Sequence, residues 1–488
     1  MMHHECSVAA VCRINANHEG SNTTLKTTVR MLLDMQTRGQ LAAGISSYNP
    51  GRPEILKTYK AVGSVDRVFE ISQPQKFQQT LRAFDGMMTI GHTRYATTGR
   101  DDLRYAQPFE RRHGQLWKWF SFAFNGTVSN HMTLRDELAK SRGFHFILDS
   151  DTEVIEHFIA FHLRGDHRPD LVSVMKNLSK HFDGAYCIVF LDASGRMMIA
   201  RDPLGLRPLN WAEQDGLVGA ASESSALMNA GFRNVHPVKP GEVIIIENGS
   251  IKKTIYADLK SRARCFFEWI YFANVASTID DSGVYESRAA AGRILAQEEH
   301  ITVCSNSIAV PVPDTAKAAA DAFAYTLGIP CVEGIFRNRF IGRTFIQSDS
   351  TRADAASAKY TPLPSVLRGK RVFLVEDSIV RSTTLKTLIK IIRTRCQPLE
   401  LHVRVACPPI VAPCYYGIDL STVAELFAAQ FDDPNSSHDQ AKMAQTLDVD
   451  SLRYLQIEDV AKSIATESNT LCTGCVTGFY PTETGNKL

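Results

Sequence analysis

Residues 371–392 read RVFLVEDSIVRSTTLKTLIKII. The apolar run VFLV predicts a buried strand that ends at two adjacent carboxylates, Glu376 and Asp377. A polar loop, SIVRSTT, then leads into a helical pattern. In open α/β sheets, ligands gather outside the carboxyl ends of the strands. Hydroxyls from Ser378, Ser382, Thr383 and Thr384 beside a helix N-terminus favour a phosphate group. The paired acids repel phosphate, so ribose hydroxyls or a bound Mg²⁺ fit them better. A strand followed by a capped helix with incidental acids would produce a similar string, so this loop alone leaves both readings open.

Working outward, SIAVPVP (307–313) and LHVRVACPP (401–409) are further apolar strands, and 314–327 and 383–394 carry helical patterns. That βαβ rhythm predicts a parallel sheet. The first half differs. Short β-like runs (SVAAVCRI, MMTIGHTRY, KWFSFAFNG, AYCIVFLD, GEVIIIENGSI) dominate, with helices expected only near 24–37 and 152–163. Such nearly continuous apolar strands suit sheets packed face to face. The rhythm changes across KKTIYADLKSRAR (252–264), where we expect a domain boundary. FDDPNSSHDQA (431–441) opens an expected helical tail.

The chain has 488 residues, 44% hydrophobic and 22% charged, enough for more than one core and unlike a disordered chain or a small disulfide scaffold. Its net charge of +2 gives no argument for a nucleic-acid or anionic-membrane partner. No apolar run approaches a membrane span, and MMHHECSVAAVC (1–12) lacks the basic region and long apolar region expected of a secretion signal. Eleven cysteines at scattered spacings suggest reduced thiols in a cytoplasm, some of them catalytic or metal-binding.

Cys6 opens the first strand. Its thiol needs a base to become a nucleophile, and an α-amine of pKa ~7.7–8.0 serves if the cysteine is residue one. A lone cysteine in such a position is otherwise a buried core residue. CTGC (472–475) alone is half a zinc site, a redox pair or coincidence.

Taken together, the motifs identify a resemblance. The string 371–392 resembles the phosphoribosyl pyrophosphate (PRPP) signature of type I phosphoribosyltransferases, most closely that of the glutamine PRPP amidotransferase family. IAVPVPDTAKAAADAFAYTLGIP (308–330) is similar to that family's pyrophosphate-side segment. FRNRFIGRTFIQ (336–347) resembles its lead into a flexible active-site loop. MQTRGQLAAGI (35–45), IGHTRYATTG (90–99), FNGTVSN (124–130) and DSDTEVI (149–155) follow the order found in class II glutamine amidotransferases.

The resemblance, which spans about residues 5 to 482, implies a two-domain α/β enzyme. An N-terminal Ntn-hydrolase αββα sandwich would occupy 6–255 after a propeptide, 1–5. A type I phosphoribosyltransferase domain with a parallel sheet would occupy 256–430, and a helical tail 431–488. It implies Cys6 as nucleophile, with Asn125 and the Gly126 N–H as the oxyanion hole. Arg94 would bind the glutamine carboxylate and Asp151 its amine, with Arg38 and Gly39 in the pocket wall. For PRPP it implies Arg343, Lys359, Glu376, Asp377, Ser378, Arg381, Ser382, Thr383 and Thr384, with Mg²⁺ at Glu376 and Asp377. Cys265, Cys414, Cys472 and Cys475 stand where the cluster-bearing branch has [4Fe–4S] ligands.

The implied reaction converts glutamine, PRPP and water to 5-phosphoribosylamine, glutamate and diphosphate, the first step of de novo purine synthesis. Alternatives are a paralogue with another phosphoribosyl or nucleotide-like acceptor, and a non-catalytic protein that keeps the fold. Purine nucleotides as inhibitors, a homotetramer and a cytoplasmic location are carried over as expectations. Four departures from the family pattern stand out. Ser7 and Ser382 replace glycines, RADAASAKY (352–360) has lost basic residues, and FANVAS (272–277) replaces F-A-R-P-D-S.

Overall fold

A computed structural model describes residues 6–14, 23–95, 102–258, 261–338, 360–418, 420 and 422–488. The first half builds two antiparallel sheets. One has seven strands in the order His236–Pro237, Asn210–Gln214, Leu217–Ala221, Cys6–Arg13, Met88–Arg94, Ala42–Tyr48, Leu56–Val62. The other has six, in the order Ser250–Ile255, Glu242–Glu247, Arg196–Arg201, Gly184–Asp192, Phe120–Val128, Phe109–Arg111.

Alternation along each strand sorts side chains into layers. Val8, Ala10 and Cys12 point between the sheets and meet Ala123, Val189 and Ile244. Ala9 and Val11 point outward, against Leu25, Val29 and Leu32 of the helix Thr23–Asp34. On the far side, Phe122, Phe124 and Phe190 pack under the helices Asp151–His162 and Leu171–Ser179. This is the expected αββα sandwich. His131–Arg142, Leu171–Ser179 and Pro74–Ala83 are helices that the apolar pattern did not announce.

The second half contains a four-stranded parallel sheet in the order Ser307–Pro311, Arg371–Glu376, Glu400–Val405, Ser451–Tyr454. The expected tail is therefore more than helical. Ser437–Leu447 is a helix, but Ser451–Tyr454 completes the sheet, with Leu452 and Tyr454 buried. Four residues of SLRY are too short for periodicity to reveal a strand.

Further on, Arg264–Cys265 pairs in parallel with Leu471–Cys472, which anchors the C-terminal segment to the start of the second half. The halves are also cross-linked by Ser129 Oγ donating to Tyr415 O (2.9 Å) and by a buried Arg201–Asp280 ion pair (2.6 Å).

Candidate active sites

Cys6 and Arg94 are opposite residues of adjacent strands, so both side chains project into the space between the sheets. Burial pushes the Cys6 thiol up to about 12, and the Asp151 charge adds to the rise. The Tyr95 N–H and the Arg94 and Arg207 guanidinium groups act in the opposite direction. A thiol in that state is inert without a dedicated base. Arg94 lies over the Tyr105 ring, 5.3 Å from its centroid. Gly39 lies directly against the Arg94 backbone, where a Cβ would stand 2.6 Å from the carbonyl carbon of Arg94.

Asn125 lies on the facing strand, with Ala123 and Cys187, on the inter-sheet side. Its Nδ2 reaches Ser222 Oγ at 3.5 Å, and that hydroxyl accepts from the Val8 N–H at 3.0 Å. One serine thus ties the amide to the strand that carries Cys6. Gly126 has φ +135°, and a Cβ there would sit 2.1 Å from Ala185 O. Only glycine tolerates that backbone.

Asp151 is the first residue of its helix, and Ser150 caps the helix by accepting from the Glu153 N–H (3.3 Å). Its Oδ2 accepts from the Val128 N–H at 3.3 Å. Its Oδ1 is buried with no partner among the described residues. A buried carboxylate oxygen without a donor is costly, and an ammonium group would satisfy it.

Arg38 is differently employed. Its Nη1 donates to Glu223 (2.6 Å), and its Nη2 donates to both oxygens of Glu268 (2.6 and 2.7 Å). Glu268 also accepts from Arg207 Nη1 at 2.7 Å, and Arg207 Nε donates to Tyr416 O. Burial pushes the Glu268 carboxyl up, but the two guanidinium groups outweigh it and hold the carboxyl below its usual range. Arg38 Nη2 therefore clamps the two halves together, while Nη1 holds Glu223 within the first half. Glu223 extends the clamp, accepting from Ser277 Oγ (2.6 Å) and the Asn274 N–H (3.1 Å) in the divergent FANVAS segment. Glu268, Arg207, Glu223 and Ser222 escaped the sequence reading. Glu268 had one signal, a lone carboxylate inside the aromatic run CFFEWIYF.

Ser7 projects to the opposite face from Cys6. Its hydroxyl meets Thr93 Oγ1 at 2.6 Å, and its φ is not positive, so this departure leaves the Cys6 side of the sheet alone.

In the second half, Glu376 ends its strand, and Asp377 accepts from Ser378 Oγ at 2.6 Å. Ser382 stands just before the helix Thr383–Ile391 with φ +58° and ψ −16°, and its side chain makes no capping hydrogen bond. The left-handed backbone that a glycine would suit is therefore present, and a Cβ there costs ~1–2 kcal/mol. Arg381 pairs with Glu425 at 3.2 Å, and the Thr383 N–H donates to Arg381 O, which leaves Thr384 in the helix's first turn. Arg343, Lys359 and most of 352–360 lie outside the described residues, as does the leader.

Cys265, Cys414, Cys472 and Cys475 line one small cavity, together with Arg207 and Tyr416. None of the eleven cysteines forms a disulfide. Among the described residues no three His, Cys, Asp or Glu side chains converge as ligands of a single metal ion would. Four thiols around a space, rather than around a point, suit a polynuclear iron–sulfur core better than one zinc. The Tyr416 N–H already points at Cys414 Sγ (3.4 Å).

A family model of the glutamine amidotransferase domain matches residues 79–263. The amidophosphoribosyltransferase of Methanothermobacter thermautotrophicus is 37% identical over 454 residues, covering 92% of this chain and 90% of the relative. The chain belongs to the amidophosphoribosyltransferase family. The Bacillus subtilis amidophosphoribosyltransferase is 35% identical over 460 residues, 93% of this chain and 90% of that one. The solved structure of B. subtilis glutamine PRPP amidotransferase complexed with ADP and GMP superposes with a TM-score of 0.84 at 32% identity, covering 98% of both chains. Membership covers both halves, so the sandwich and the parallel sheet are the family's glutaminase and phosphoribosyltransferase units. No described helix is long and apolar enough to cross a membrane.

Proposed function

We propose that this amidophosphoribosyltransferase acts through an N-terminal Cys6, exposed when residues 1–5 are removed. The freed α-amine takes the thiol proton, and the thiolate attacks the glutamine side-chain carbonyl. Asn125 Nδ2 and the Gly126 N–H hold the oxyanion. Collapse transfers the proton to the departing nitrogen and releases ammonia, leaving a thioester on Cys6. Water then hydrolyses the thioester to glutamate and returns the proton to sulfur. Arg94 and Asp151 grip the glutamine carboxylate and amine. Arg38 holds the pocket wall from behind, through Glu223 and Glu268.

Ammonia then attacks C1 of PRPP, and diphosphate leaves. Glu376 and Asp377 hold the ribose hydroxyls, while Ser378 to Thr384 hold the 5-phosphate at the helix N-terminus. Arg343 and Lys359 close over the diphosphate. Glu376 and Asp377 would also hold a Mg²⁺, which would supply charge neutralisation for the leaving diphosphate. The four cysteines would hold a structural [4Fe–4S] centre. We also carry forward a cytoplasmic homotetramer inhibited by purine nucleotides, with domains divided near residue 255.

The observation that carries the glutaminase roles is the orphan oxygen of buried Asp151 in the electrostatic neighbourhood of Cys6. The strained Ser382 favours a second reading, in which the phosphoribosyl acceptor differs. Anaerobically purified protein should release diphosphate only when glutamine and PRPP are both present. PRPP-independent glutamate release with no diphosphate would favour the second reading. Activity from chains still carrying Met1 would remove the α-amine mechanism.

A further inference from the structure

Arg207 is 2% exposed and, among the described residues, is the one charged side chain lining the four-cysteine cavity. It comes from the first half, whereas all four thiols come from the second. Two of its three nitrogens are occupied, Nε by Tyr416 O and Nη1 by Glu268. The third, Nη2, is buried without a partner among the described residues. Leaving a buried guanidinium N–H unmet is costly, and an acceptor inside the cavity would remove that cost. Four thiolates around an iron–sulfur core leave a net anionic centre in a largely apolar cavity, and such a centre needs a nearby cation.

We propose that Arg207 is the positioning residue of the four-cysteine centre, its Nη2 donating to the bound core while Nη1 fixes the guanidinium to Glu268. This rests on the iron–sulfur reading above. The consequence reaches beyond the cavity. Glu268 also carries Arg38, and Arg38 precedes the glycine packed against Arg94. On the other side, Leu206 O accepts from the Cys265 N–H, and Asn210 Nδ2 donates to Ser222 O, the serine that reaches Asn125. The segment 206–210 thus touches the centre at one end and the oxyanion-hole support at the other.

The test compares full-length wild type, Arg207→Lys and the double variant Arg207→Met/Glu268→Gln, all isolated anaerobically. The double variant avoids stranding a buried carboxylate. Readouts are iron and acid-labile sulfide per chain, the rate of iron release to a chelator, and the midpoint potential by electron paramagnetic resonance. Removing the cation should speed iron release by about 10- to 100-fold and move the potential to more negative values. Lysine keeps the charge but has one nitrogen for two partners, so it should speed release with a smaller shift in potential. Wild-type release and potential in both variants would remove Arg207 from this role and leave the cluster reading intact. Wild-type protein without iron and sulfide would remove the cluster reading and this proposal with it. Should the double variant fail to fold, Arg207→Lys decides alone, since wild-type release in that protein overturns the bridging role.

Discussion

Cys6 and Arg94 are cross-strand partners, so the sulfur and the guanidinium leave the same face of one sheet. This register fixes the separation between the proposed nucleophile and the proposed carboxylate anchor without any loop having to find its place. It also buries the thiol so thoroughly that its proton becomes hard to remove.

That burial yields a prediction about processing. In chains that retain residues 1–5, a thiol raised to about 12 stays protonated through the neutral range, and the fraction of thiolate grows with pH across the alkaline range. Alkylation of Cys6, followed by peptide mass spectrometry, should therefore be slow at pH 8 and climb steadily above it. In chains beginning at Cys6 the amine supplies the base, and labelling by a glutamine-like electrophile should level off near the amine's own pKa of ~8. Equal labelling of both forms at pH 8 would contradict this.

Asp151 offers a buried oxygen that lacks a donor. Asp151→Asn removes the charge and keeps the shape. The KM for glutamine should rise roughly 10- to 100-fold, the worth of one charge-assisted hydrogen bond. Activity with ammonia in place of glutamine should stay near the parent's. Parallel loss of both activities would mean that the carboxylate serves the fold, not the substrate.

Ser382 sits at φ +58°, where side chains are strained. Ser382→Gly should relieve that strain. Glycine's extra freedom in the unfolded chain opposes the gain, so the net effect on stability should be no more than about 1 kcal/mol, measured by denaturant unfolding. PRPP should bind at least as well by calorimetry. Weaker PRPP binding in this variant would show instead that the serine hydroxyl is itself a ligand.

Glu268 stands between two buried arginines. Glu268→Ala leaves both without their shared carboxylate, and breaking such a network costs about 3–5 kcal/mol. The melting temperature should fall markedly, and proteolysis should begin at the junction between the halves. A loss under about 1 kcal/mol would mean that water reaches the site and screens it.

Much of this was legible in the chain and some was not. The strand-acid-loop-helix order of 371–392 declares itself because each step changes a strong local signal: apolarity, then charge, then hydroxyls, then helical period. Asn125, Gly126 and Asp151 were legible only as motifs in order, since a hairpin turn or a helix cap uses the same residues. The clamp of Arg38, Glu223, Glu268 and Arg207 was illegible. Its members are separated by up to 230 positions and meet only through tertiary packing. The strand Ser451–Tyr454 was missed because four residues carry too little pattern, and its place is set by the neighbouring strand Glu400–Val405.

The parallel bridge between Arg264–Cys265 and Leu471–Cys472 sets a timetable for the newborn polypeptide. Its two partners lie about two hundred residues apart, so the later one is made long after the first. While the ribosome is still elongating, Cys265 and Cys414 wait with half of their companions absent. A chain interrupted before Cys472 would therefore keep an open, oxidisable half-cage, so maturation waits on a segment made long after the strand it joins.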